Sequence, residues 1–228
     1  MMKHSFRIVI LLVVLFSFLE SKTTDRIAVA TKVQGEVEYE RGNDGFKKLS
    51  SGNILQGGDR VRTGKNGFTA IIFIDDKSML KIKGKTEVVI NGQRSQGSIS
   101  KKIRLDGGTL RAQITKQRRG DFVVQTPVSV ASVKGTDFWL LSNDQTGDQL
   151  IGIDGLISFM NLISGDSIDV SGGFTGLSSL DGSIQTFTTD PTTIPTDPMG
   201  EESEQPSRLE IEFKGPDGKT KTLIIDYK

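Results

Sequence analysis

The chain has 228 residues with no cysteine, one histidine (His4) and one tryptophan, and it sets 29 basic side chains against 28 acidic ones. A net charge of +1 gives no global field to draw it to nucleic acid. Without a thiol, and with its sole imidazole at position 4, it cannot assemble a Ser-His-Asp or Cys-His nucleophile set, a disulfide, or the usual zinc ligands.

Lys3, His4 and Arg7 open the chain ahead of an apolar run from Ile8 to Leu19. At about 1.5 Å per residue that run spans about 18 Å, short of the roughly 30 Å of a bilayer core. Residues 1–21 therefore read as a signal peptide cleaved after Ser21, with an uncleaved anchor as the alternative because Leu19 is bulky for the −3 position. No cysteine follows, so lipoprotein processing is not expected. Removal of Lys3, Arg7 and Glu20 leaves 27 basic and 27 acidic residues. The expected location is the periplasm or outer cell envelope of a bacterium.

From residue 28 onward the pattern is all-β. Strand-like runs include Val33–Glu40, Phe68–Ile74, Leu80–Lys83, Thr86–Ile90, Phe122–Gln125, Asp137–Leu141, Gln149–Ile153, Leu156–Leu162 and Ser167–Val170. Asp44, Asn66, Asn91, Asp106, Asp154, Asp181 and Asp217 each precede a glycine, a pair suited to tight turns. Gly108–Thr115 hints at a helical turn, which Thr109, Ile114 and Thr115 oppose. Many short strands with turn signals suggest a sandwich, a barrel or a β-solenoid, but the irregular turn spacing reveals no simple solenoid repeat. The expected layout is a β domain over 28–184, a Thr/Pro/Glu-rich linker over 185–207, and a C-terminal β-hairpin over 208–228. Two strands alone are marginal in water, so the hairpin should dock on the domain or on a partner.

The most specific segment runs Thr126-Pro127-Val128-Ser129-Val130-Ala131-Ser132-Val133-Lys134-Gly135-Thr136-Asp137-Phe138. It reads as strand, turn, strand, tight corner, strand, with Pro127 at a strand start and Gly135 at the corner. Upstream lie Gly35 and Val37, then Gly58-Asp59 with Thr63-Gly64, then Asp75-Asp76-Lys77-Ser78 closing an apolar run, then Leu105, Gly107, Gly108 and Leu110. In this order the motifs resemble those of the FecR family. Its T-P-x-x-x-A-x-V-(R/K)-G-T-x-F signature is matched by Thr126, Pro127, Ala131, Val133, Lys134, Gly135, Thr136 and Phe138. The resemblance covers roughly residues 28–175 and implies a compact β domain with solenoid-like character.

The family's typical members are membrane-spanning regulators of an alternative sigma factor, with a cytoplasmic sigma-binding segment before the span. Only seven residues precede the apolar run here, so the periplasmic domain is carried over and the anti-sigma activity is not. The signature residues themselves look like scaffold, with Lys134 the exposed exception, an anchor for a local carboxylate or a partner.

Asp59, Asp75, Asp76, Asp106, Asp121 and Asp137 leave a carboxylate-pair hydrolase formally open, against the simpler reading that they cap turns and strand ends. Gly57-Gly58-Asp59 lacks the repeated calcium-roll pattern, and no phosphate loop or cofactor motif is present. Lys101, Lys102, Arg104, Arg111, Lys116, Arg118 and Arg119 crowd seven cations into 19 positions. They are a candidate face for an anionic glycan, a lipid headgroup or an acidic protein; the competing reading is charged decoration of sheet edges. Trp139 reads as core packing rather than a sugar platform. Three functions follow in order: a non-enzymatic envelope protein acting by protein–protein contact as a signalling accessory or scaffold; an envelope glycan- or surface-binding module; and a carboxylate hydrolase.

Overall fold

The computed structural model describes residues 26–95, 98–116, 121–196, 198, 207–214 and 218–227. The expected signal peptide lies outside them, as do Arg118, Arg119 and much of the expected linker. In chain order the strands are β1 (Arg26–Gln34), β2 (Val37–Glu40), β3 (Lys47–Lys48), β4 (Ile54–Gln56), β5 (Asp59–Thr63), β6 (Phe68–Phe73) and β7 (Met79–Ile82). Then come β8 (Glu87–Ser95), β9 (Ser98–Gln113), β10 (Phe122–Gln125), β11 (Ser129–Val133), β12 (Asp137–Asn143) and β13 (Gly147–Asp154). The last are β14 (Leu156–Asn161), β15 (Ser167–Ser171), β16 (Phe174–Ser178), β17 (Ile184–Thr188), β18 (Ser207–Lys214) and β19 (Thr220–Tyr227).

Pairing is continuous through the first 17 strands, yet it falls into two layers. One layer runs β4-β1-β6-β7-β9-β12-β13-β16-β17. The other runs β3-β2-β5-β8-β9-β10-β11-β14-β15. Every pairing within these layers is antiparallel except β9 with β10. Strand β9 belongs to both layers: its first half pairs β8 and β10, and its second half pairs β7 and β12. The bend between the halves falls at Gly107-Gly108. Gly108 has φ +107, and a Cβ there would stand 2.7 Å from the Lys85 carbonyl oxygen and 2.6 Å from Thr86 Cα. Only glycine combines that backbone conformation with that approach.

Alternating residues of both layers meet in one apolar core. Phe73, Leu80, Leu110, Phe138 and Leu140 come from one sheet, and Val61, Ile90, Ile103, Phe122 and Phe159 from the other, all fully buried. The outer face of the first sheet carries a second cluster of Val29, Phe68, Ala70, Ile72 and Met79. The β18–β19 hairpin lies over it: Ile225 is buried there, with Ile211 and Leu223 against the same cluster. This contact supplies the apolar surface that an isolated two-stranded hairpin lacks.

Three local expectations need correction, while the helical turn that Thr109, Ile114 and Thr115 opposed does not form. The run Val33–Glu40 is two strands in different layers, broken at Gly35-Glu36. Gly108–Thr115 is not a helical turn, because residues up to Gln113 complete β9, whose inward side chains alternate into the core. Asn91-Gly92 lies inside β8 and Asp106-Gly107 inside β9, so these two pairs do not close hairpins. At Gly92 a Cβ would press on the Ile27 and Ile99 side chains at 3.0 Å, so close packing is what selects glycine. Finally, the segment read as linker begins with structure. Residues 184–188 are edge strand β17, a 3-10 turn follows at Pro191–Thr193, and Lys83 Nζ donates to the Thr196 carbonyl at 3.0 Å.

Candidate functional site

Most of the motif residues turn out to be fasteners. Asp59 is fully buried beside the Gly57-Gly58 turn, where its Oδ2 accepts from the Gln56 amide at 2.8 Å. It also takes a two-pronged contact from Arg41, Nε to Oδ1 at 2.9 Å and Nη2 to Oδ2 at 2.7 Å. That carboxylate holds the Arg41 guanidinium above its usual range, since the side-chain hydrogen bond outweighs desolvation. Thr63 donates its hydroxyl to the Lys83 carbonyl at 2.5 Å and accepts from the Thr86 amide at 3.0 Å. Gly64 donates its amide to the Glu36 carbonyl at 2.8 Å.

The signature proper joins the two layers. Thr126, between β10 and β11, accepts the Val128 and Ser129 amides on its hydroxyl oxygen at 3.1 and 2.8 Å, which closes the turn around Pro127. Its hydroxyl donates to Asp148 Oδ2 on β13, in the other sheet, and Ser129 Oγ reaches the same oxygen at 2.5 Å. Thr126, Ser129 and Asp148 are all buried, and Asp148 Oδ1 has no hydrogen-bond partner among the described residues. Asp148 lies outside every motif and has no signal in the sequence beyond Gly147 before it. Ala131, Val133 and Phe138 fill the core. Gly135 takes φ +148, and a Cβ there would stand 2.9 Å from Lys116 Cα.

Lys134 is exposed, as is Pro127, and it is the one charged side chain among the signature residues. It lines an open cleft of about 760 Å³ together with Lys77, Lys116, Thr136, Asp154 and Leu156. The side chains of Lys77, Lys116 and Lys134 are exposed and make no ion pair among the described residues. Asp137, at the same cleft, is already engaged: Arg111 grips it at 2.8 and 2.7 Å, and Gln113 Nε2 donates at 3.1 Å. The Thr136 hydroxyl is buried there without a partner among the described residues. Lys77 adopts φ 61 in the turn after β6, a conformation that glycine holds more easily. Leu156, 56% exposed, adds an apolar edge. The cleft is thus suited to an acidic group with an adjoining apolar side chain.

The five described members of the seven-cation stretch do not form one face. Lys101 is buried (1% exposed), with Nζ 2.9 Å from Asp75 Oδ2 and 2.6 Å from Asp76 Oδ2. Strand alternation sends it inward while Lys102 and Arg104 point outward. Arg104 pairs with Asp106 at 2.8 Å, Arg111 with Asp137, and Lys116 turns to the cleft. Five of the six carboxylates considered for hydrolysis are accounted for in the same way, and the sixth, Asp121, is exposed. Asp59, Asp75, Asp76, Asp106 and Asp137 each contact a cation. Trp139 is buried, 1% exposed, on the outer face of its sheet. There Lys83 Nζ and the Arg111 guanidinium stand 5.6 and 5.7 Å from its ring, so it offers no open sugar platform.

Residues 59–152 match the family model described as FecR protein. The match opens on the buried Asp59 and takes in the whole signature. Two crystal structures of a candidate anti-sigma factor from Parabacteroides distasonis, at 2.50 and 1.65 Å resolution, align with TM-scores of 0.49 and 0.47. Identity is 11% in both, over 57% of this chain and 60% of theirs. No curated protein matches the sequence.

Proposed function

From the match of residues 59–152 to the FecR family model, we propose that this is an exported, non-enzymatic protein of the bacterial cell envelope. It works by protein–protein contact, as a signalling accessory or scaffold. The observation that carries this reading is the cleft at the signature corner. Lys134, Lys116 and Lys77 make no ion pair among the described residues beside the exposed Leu156, while the neighbouring signature side chains are committed to the fold. Charged groups at a rim steer and select a partner, and an apolar anchor beside them supplies contact energy. The partner segment is therefore acidic with an adjoining apolar side chain. A broad glycan or lipid surface has less support, because Lys101 is buried, Arg104 and Arg111 are paired and Lys116 turns into the cleft.

The test is a photo-reactive residue placed at position 156 and irradiated in intact cells. The expected result is one dominant adduct with an envelope protein, absent when the probe stands at the exposed Asp44 between β2 and β3. No adduct above that control, or an adduct with a cytoplasmic protein, would overturn the reading.

A further inference from the structure

A second buried charge lies outside the lining of the cleft. Lys101 enters the core from β9, its side chain fully shielded, and its Nζ touches two consecutive carboxylates of the β6–β7 turn. Asp75 Oδ2 is 2.9 Å away and also accepts the Ile99 amide at 2.9 Å, while Asp75 Oδ1 is buried with no partner among the described residues. Asp76 Oδ2 is 2.6 Å away, and Asp76 Oδ1 accepts the Ser78 amide at 2.9 Å. The Phe73 ring stands 5.2 Å from Nζ and packs edge-on against Phe122.

We propose that Lys101 and Asp75 condense to an intramolecular amide, with Asp76 as the proton carrier. The reaction joins an ammonium and a carboxylate into a neutral amide and one water, so atoms and charge balance with no oxidant or activating co-reactant. Asp76 takes one proton from Nζ and passes it to an Asp75 oxygen, leaving a neutral amine beside a neutral carboxylic acid. The nitrogen lone pair attacks Asp75 Cγ, Asp76 carries the second nitrogen proton to the hydroxyl, and the tetrahedral carbon collapses as that hydroxyl leaves as water, with the third proton kept as the amide N–H.

Three features of the site favour this step. The reacting groups are already in contact, so the reaction is unimolecular. Burial penalises the ion pair, and the amide removes both charges from the interior. A second carboxylate within hydrogen-bond reach performs both proton transfers. The bond would clamp the β6–β7 turn to β9 across a separation of 26 residues, a covalent constraint in a chain that has no cysteine to form a disulfide.

The experiment is peptide mapping with intact-mass measurement on the folded full chain. The expected product is a branched peptide joining the Asp75 and Lys101 segments, lighter by one water than the two together, with no tryptic cut after Lys101. A water lost by ring closure at an Asp-Gly pair such as Asp44-Gly45 gives no branch, so the branch decides. Lys101→Arg keeps a cation at the site and should return the mass of the unbranched sequence. Asp76→Asn should leave most of the chain unbranched. Separate, unmodified peptides carrying Asp75 and Lys101 in the wild-type protein would overturn the proposal. Full branching in Asp76→Asn would overturn the role given to Asp76.

Discussion

Thr126→Val is expected to lower the free energy of unfolding by about 3–5 kcal/mol in urea titrations, with an unchanged dependence on denaturant. The hydroxyl has three partners, and valine keeps none of them. The Val128 and Ser129 amides lose the acceptor that closes their turn, and the buried Asp148 loses one of its two hydroxyl donors. Each polar group left buried without a partner costs about 1–3 kcal/mol, and a charged one costs more. Thr126→Ser retains the oxygen and should stay within about 1 kcal/mol of wild type. Equal losses for the two variants would show that the methyl group, rather than the link between sheets, is what matters.

Gly108→Ala should cost about 3–5 kcal/mol, combining a left-handed backbone with overpacking against main-chain atoms. The added carbon would meet the Lys85 carbonyl oxygen and Thr86 Cα, neither of which can rotate away as a side-chain tip could. Its neighbour supplies the control. At Gly107, φ +158, a Cβ meets nothing within 4 Å, so Gly107→Ala carries a backbone cost without the overpacking and should lose only about 1–2 kcal/mol. Thermal or urea unfolding of the two variants side by side checks the contrast. Similar losses would mean that the bend is not held at Gly108. Because β9 serves both layers, a failure at this bend disturbs the whole sandwich.

The β class was legible because alternation and turn residues are local signals. Strand β9 was not. Its inward residues include Lys101, and its basic outward residues disguise the alternation, so the longest strand looked like a charged surface stretch. The sequence pattern could place Lys101 on a strand but could not say that Asp75 and Asp76, in a turn 26 and 25 residues earlier, would receive it. The same limit hid Asp148, since a partner across two sheets leaves no trace in residue spacing. The motif residues were legible as scaffold, and Lys134 as the exposed exception. The cleft around Lys134 was not, because Lys77 and Lys116 reach it from the β6–β7 turn and the end of β9. A uniform cationic face failed for an elementary reason: adjacent strand residues point to opposite sides.

The central claim is that the buried signature residues build the fold while Lys134 remains free to meet a partner. Lys134→Glu tests it most directly when read two ways, by urea unfolding and by the in-cell photo-adduct from position 156. Unfolding should stay within about 0.5 kcal/mol of wild type, as for an exposed and unpaired side chain, while the adduct is lost. An undiminished adduct, or a loss of stability comparable with that of Thr126→Val, would contradict the account.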